Sequence, residues 1–192
     1  MFDIIAQTFN ASMVAVTQLF LSTVISTNPW FEELDLQYLV PKHEIVCNTK
    51  LADSFTETLD QVLLSGQNIT LHFQFDLYAS GNTTPIQTKE IVNGFRYDAE
   101  SEVYYLVNSE DEKVEKFFTF GAAKDTYISV RKLAVVDTEG LDAEQEYFLK
   151  VTAFLDPIKL DDMSESVNLV MRWASVKPSI ASEKFTIQAG ST

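Results

Sequence analysis

Apolar and polar residues alternate most clearly in "LLSGQNITLHFQFDLYASG", residues 63–81. Leu71, Phe73, Phe75 and Leu77 point one way and His72, Gln74, Asp76 and Tyr78 the other. That is the period of an antiparallel strand with one buried and one mostly wet face. Just before it, "LADSFTETLDQVLLSG" changes period: Phe55, Leu59, Val62 and Leu63 fall at helical spacing. Asp53 or Ser54 can cap the start of this helix, and Gly66 sits where a left-handed C-cap belongs.

The period of two recurs along the chain. "ELDLQYLV" sets Leu34, Leu36, Tyr38 and Val40 on one face, Pro41 ends the run, and "HEIVCNTK" reads as the next strand. After the turn cluster "SGNTTP", "IQTKEIVNGFRYD" returns as a neighbouring strand, and the acidic turn "DAESE" leads into "VYYLVN", so these two form a hairpin. "KVEKFFTF" is a short strand, and "FGAAKDTYISVRK" fits a short helix only loosely. "LAVVD" and "EQEYFLKVTAFLD" flank the loop "TEGLDA", and the second aligns Tyr147, Leu149, Val151, Ala153 and Leu155. "DPIKLDDMSES" is a loop, "VNLVMRWASV" a last long strand and "EKFTIQ" a terminal one.

Many strands, few helices and closely spaced turns predict a mainly β fold: an antiparallel β-sandwich, immunoglobulin-like in architecture, with one or two short helices. Residues 29–192 read as one domain. Residues 1–28 read as an apolar N-terminal helix, since positions 4–31 carry no charge and "NPW" breaks the helical region. Its apolar part resembles an export signal or membrane anchor, which would bring a membrane contact through residues 4–27. It lacks the usual basic start, with Asp3 near the beginning and Lys42 the first basic residue. A helix packing on the domain or on a partner is the other reading.

Charge removes several functions. With 28 acidic and 14 basic residues, net charge -14, the chain offers no basic groove for nucleic acid. The acidic excess keeps a chain with 14 Phe and 7 Tyr soluble. Cys47 is alone, which excludes an intrachain disulfide and a thiolate metal cluster and suits a small buried hydrophobe. Sequons occur at Asn10, Asn68 and Asn82.

No nucleophile motif, phosphate loop, dinucleotide fingerprint or zinc-protease motif is present. The histidines are His43 and His72, both in expected strands; His43 and Cys47 lie well over ten ångströms apart at roughly 3.3 Å per residue. His72 reads as a satisfied surface histidine. The acidic stretches around Asp137–Glu146, Asp156–Glu165 and Glu110–Glu112 read as solvated turns, so no metal or other cofactor is expected. The aromatics Tyr78, Tyr104, Phe117, Phe148 and Phe154 are placed opposite the apolar stripe of their strands. Either helices cover that face, the favoured reading, or part of it awaits a protein partner, with Tyr78, Tyr104, Phe148 and Phe154 as the candidate contacts.

The succession of "LLSGQNITLHFQFDLY", a long hairpin with "FRYDAESEVYYL", a helix-like stretch and "EQEYFLKVTAFLD" resembles the bacterial domain-of-unknown-function family 4390 over about residues 34–187. Tyr97 and Tyr104 match the tyrosines of the family's hairpin, Tyr147 to Leu155 its late alternating strand, and Trp173 its terminal Trp. The resemblance implies an exported or membrane-anchored envelope protein with no assigned catalytic residues. The expectation is a non-enzymatic, extracytoplasmic interaction module, periplasmic or membrane-anchored, that binds protein through a sheet edge or aromatic face. The alternative is a carrier of an apolar small ligand between the sheets.

Overall fold

The computed structural model describes residues 29–39, 42–52, 57–156 and 177–187. The expected N-terminal helix, the caps Asp53 and Ser54, Val40, Phe55, the strand "VNLVMRWASV" with Trp173, and most of "DPIKLDDMSES" lie outside these residues.

The described chain is mainly β, with ten strands and two helices in the order β1 (Trp30–Leu39), β2 (Glu44–Ala52), α1 (Glu57–Leu64), β3 (Ile69–Ala79), β4 (Gln87–Asp98), β5 (Val103–Asn108), β6 (Val114–Phe117), α2 (Phe120–Tyr127), β7 (Ser129–Asp137), β8 (Glu146–Leu155), β9 (Ser179–Ala181) and β10 (Phe185–Thr186). The strands form two antiparallel sheets. The smaller has the order β1-β2-β7, and the larger the order β10-β8-β3-β4-β5-β6, with β9 also on β8.

The alternating stripes build the common core. Leu71, Phe73, Phe75 and Leu77 on β3, and Tyr147, Leu149, Val151, Ala153 and Leu155 on β8, are buried in register: Phe73 opposite Ala153, Phe75 opposite Val151. They share one apolar cluster with Phe31, Ile45, Cys47 and Leu51 of the smaller sheet, and the Phe31 and Phe73 rings approach to 6.4 Å across it. Each large apolar side chain buried here contributes roughly 1.5–3 kcal/mol.

Local signals end the elements where expected. After α1, Gly66 takes φ 84°, a conformation that favours glycine, and a Cβ there would lie a tight 3.3 Å from the Tyr97 carbonyl oxygen. At the β4–β5 hairpin, the Asp98 carboxylate accepts from the Glu100 N–H and the Ser101 hydroxyl. The Ser101 hydroxyl, then the Glu100 N–H, hold Asp98 below its ordinary acidity range.

Three expectations are corrected. His43 precedes β2 instead of lying within a strand, in a turn with φ 54°. The stretch expected as one loose helix divides into α2 and the first residues of β7. β7 hid from the period-two pattern because its register against β2 shifts twice and Lys132 has φ 52°. Finally, neither described helix lies over the outer face of the larger sheet. Phe120 and Tyr127 of α2 pack on Phe95, while Val62 and Leu63 of α1 join the core cluster.

Candidate functional site

The outer face of the larger sheet is a ladder of cross-strand pairs. His72 of β3 is opposite Phe154 of β8, with rings stacked at 4.6 Å, and Tyr78 is opposite Phe148, stacked at 5.1 Å. Between the stacks, Asp76 accepts from the Gln74 amide (2.8 Å) and the Thr88 hydroxyl (2.7 Å), and it is only 5% exposed. The His72 ring stands between two carboxylates, with Nδ1 at Glu90 and Nε2 3.1 Å from Asp156. Lys177 lies 4.3 Å over the Phe154 ring. This face is therefore half-buried and internally paired, where the alternation suggested a wet one.

The candidate aromatics do not share one surface. Tyr78, Phe148 and Phe154 lie on the outer face, each stacked on a cross-strand neighbour or ring. Tyr104 is on the core side: it pairs with Tyr97, its ring lies 6.1 Å from Phe95 and 5.9 Å from Phe120, and Phe117 pairs with it there. Burial, then the neighbouring Tyr97 and Glu102, raise its hydroxyl above the ordinary range. The expected placement of Tyr104 and Phe117 opposite the apolar stripe is thus corrected. "VYYLVN" is apolar on both parities, so its own pattern has no phase; the pairing of Leu106 with Phe95 supplies one.

Nucleophilic chemistry finds little support at Cys47. The side chain is fully buried, and burial, with Asp35 adding to it, pushes the thiol up to about 12. Among the described residues no cluster of three or more His, Cys, Asp or Glu side chains is arranged to hold a metal ion. No described helix is long and apolar enough to cross a membrane.

A cleft of about 860 Å³ is lined by both sheets, by residues of β1, β2 and β7 from the smaller and of β4, β5 and β6 from the larger. Ile91, Leu106, Val130 and Leu133 supply apolar lining, and the amide of Asn93 lies among them. On the β2–β7 side the lining carries Lys42, Arg131 and Lys132 with Glu44 among them; on the β5–β6 side it is acidic, with Glu110, Asp111 and Glu115.

Side chains of β4 close the β7 margin of this cleft. Gln87 donates to the Asp137 carbonyl (2.7 Å) and accepts from the Asp137 N–H (3.2 Å). Lys89 donates to the Ala134 carbonyl (2.8 Å) and reaches Glu110 (2.9 Å). Asn93 donates to the Tyr127 carbonyl (2.9 Å) and accepts from Asn108 (2.7 Å). At the start of β7, Asp125 pairs with Lys50 (2.6 Å) and Arg131 (2.8 Å). The Lys50 hydrogen bond is the chief reason its acidity lies below the usual carboxylate range.

The opposite margin is open. Among the described residues β6 pairs only with β5, without a register shift. Val114 is 57% exposed, its partner Val107 42%, and Phe118 just beyond the strand 79%. Sequence reasoning singled out none of these, nor Asn93. A signal existed for Asn93: it is a polar residue between Ile91 and Phe95 on one strand face.

No curated protein and no solved structure matches the chain. A family match does span residues 34–165, beginning where the sequence resemblance begins and taking in the helix–strand junction, the tyrosine hairpin, the cleft and the late alternating strand. Covering well over half of the chain, it shows that this protein belongs to the family described as Domain of unknown function (DUF4390).

Proposed function

We propose that this protein is a non-enzymatic interaction module of the bacterial envelope, periplasmic or membrane-anchored, which binds a protein partner at the β5–β6 margin and the adjoining cleft. The architecture within which this reading is framed is a β-sandwich, immunoglobulin-like in its finer form. The observation that carries it is the contrast of margins among the described residues: β7 is sealed by side chains, while β6 pairs on one side only, beside exposed Val107, Val114 and Phe118. Exposed apolar residues next to a free strand edge are a common basis of protein recognition. The envelope assignment draws on the uncharged stretch 4–31 and on the family resemblance.

A photoreactive amino acid placed at Val107 in the expressing cell tests this reading, with Asp35 on the outer face of the smaller sheet as control. A discrete protein adduct from Val107 and none from Asp35 is expected; adducts at neither site, or equally at both, overturn it. Fractionation with mass spectrometry of the N-terminus tests the location. Membrane retention or cleavage near Ser26 supports it, and an intact soluble chain starting at Met1 overturns it.

An apolar small ligand in the cleft is the second reading, favoured by a volume within the range of small-molecule pockets, roughly 300–1,000 Å³. Saturable binding of an apolar fluorophore, lost in Leu106→Asp, would support it over the first.

A further inference from the structure

We infer that β6 is a strand-addition site, and that its occupant is an extended segment of another protein carrying adjacent acidic and basic residues flanked by apolar ones. The inference rests on the interaction-module reading and specifies the partner's chemistry.

The other sheet margins are unsuited to strand addition. β7 has two register shifts, and its Ala134 and Asp137 main-chain groups are held by Lys89 and Gln87. β1 has a shift between Phe31 and Glu33 and exposes Glu32, Glu33 and Asp35. The margin beyond β8 is broken into β9 and β10, two short pieces separated by residues 182–184. Bulges, charges and short pieces are the devices by which sheets prevent pairing at an edge. β6 is itself short and carries Glu115 and Lys116, but among the described residues it has regular pairing and no bulge, with exposed Val114 beside exposed Phe118.

The side chains of β6 define what can lie alongside. Its outer face carries Val114 and Lys116, which continue the row of Val107 and Tyr105, and its core-side face carries Glu115 and Phe117. Glu115 also lines the cleft, on the same rim as Glu110 and Asp111. Residues directly opposite in an antiparallel pair share a face. An added strand therefore needs an acidic residue opposite Lys116, followed by a basic one opposite Glu115, with apolar residues opposite Val114 and Phe117.

A second copy of this chain is a poor occupant. A two-fold antiparallel pairing centred on the middle of β6 puts Glu115 against Glu115 or Lys116 against Lys116, and each copy carries a net charge of -14. A foreign strand avoids both penalties.

The test uses the full 192-residue chain and two labelled ten-residue peptides of Val and Thr, one with Val-Glu-Lys-Val at its centre and one with Val-Lys-Glu-Val. The readouts are fluorescence anisotropy and amide hydrogen exchange. The Glu-Lys peptide is expected to bind about ten-fold more tightly than the other, given two cross-strand charge pairs turned from attractive to repulsive. It should slow exchange within residues 114–117, and N-methylation of its central amides should abolish binding. The double variant Glu115→Lys, Lys116→Glu should reverse the preference; these are exposed positions, so folding is retained and is checked by circular dichroism.

Peptide binding that protects residues 91–93 and leaves 114–117 unchanged overturns strand addition, while the cleft reading stands. So does failure of both peptides alongside a persistent Val107 adduct. A concentration-dependent dimer in sedimentation, dissociated by Val114→Asp, overturns the choice of occupant. Failure of both peptides together with absence of the Val107 adduct overturns this inference and the interaction-module reading alike.

Discussion

β7 and β6 lie on either side of the same cleft, and they treat their unpaired main chain in opposite ways. At β7 the main-chain groups of Ala134 and Asp137 are taken up by Lys89 and Gln87, and just before it the Tyr127 carbonyl at the end of α2 is taken up by Asn93; all three side chains project from one face of β4. At β6 the strand simply stops, with exposed Val114 at its start and exposed Phe118 just past its end. A buried polar group without a partner is costly, whereas an edge in water is satisfied by solvent until another strand arrives. Among the described residues, the difference separates a margin closed by side chains from one that is paired on one side only.

The largest expected effect comes from breaking the closed margin at its most buried point. Asn93 is 4% exposed and holds both the Tyr127 carbonyl and the Asn108 amide. Asn93→Ala strands these groups and should destabilise the fold by about 2–3 kcal/mol. Thermal unfolding should show it as a fall of about 5–10 °C. An unchanged midpoint would mean that the amide network is incidental to the closure.

Gln87→Ala removes both bonds to Asp137 in a more exposed setting and should cost about 1 kcal/mol in urea unfolding. Exchange of the Asp137 amide should speed up, while residues 114–117 stay as they were. If both regions respond together, the two margins are not independent.

A smaller effect is expected from acid. Asp125 ties the end of α2 to Lys50 on β2 and to Arg131 on β7, and its folded acidity lies below the ordinary range. The unfolded chain therefore binds a proton more readily, so the pair's stabilisation is complete above about pH 4 and is lost as pH falls further. Lys50 is shifted upward, chiefly by its hydrogen bond to Asp125, so its share persists until pH rises past about 10.5. Because Asp125 is 43% exposed, solvent screening limits the contribution to about 0.5 kcal/mol. Urea unfolding of the parent and Asp125→Asn should converge near pH 3 and differ at pH 7; a constant gap would remove Asp125 from the account.

The smallest effect on folding should come from the open margin. Val114→Thr keeps a strand-forming residue at a position 57% exposed, and should shift stability by less than about 0.5 kcal/mol. A loss of several kcal/mol would show that Val114 belongs to the core economy and would weaken its reading as a docking residue.

Much of the fold was legible because its strands alternate without interruption. The stripes Leu71–Leu77 and Tyr147–Leu155 are buried as their spacing requires, and Gly66 ends α1 in the left-handed conformation expected of it. The candidate site was legible only in part. Tyr78, Phe148 and Phe154 do share a face, but each is engaged there in a stack, and Tyr104 lies on the other side. The open margin at β6 was not legible, since "KVEKFFTF" reads alike as a central or an edge strand.

By itself, then, the sequence determined the secondary structure of the strong alternators, the turn and cap at Gly66, the strongly acidic net charge and the resemblance to the family. These depend on local periodicity, single-residue conformational limits and summed charge, all of which act within a few residues or need no geometry at all. Only the tertiary structure decided which face of β5 is inward, that β7 is a bulged and sealed edge, and that β6, among the described residues, pairs on one side only. Each of those depends on strand order and register, and hydrogen bonds between residues as far apart as Gln87 and Asp137 are specified by no local pattern.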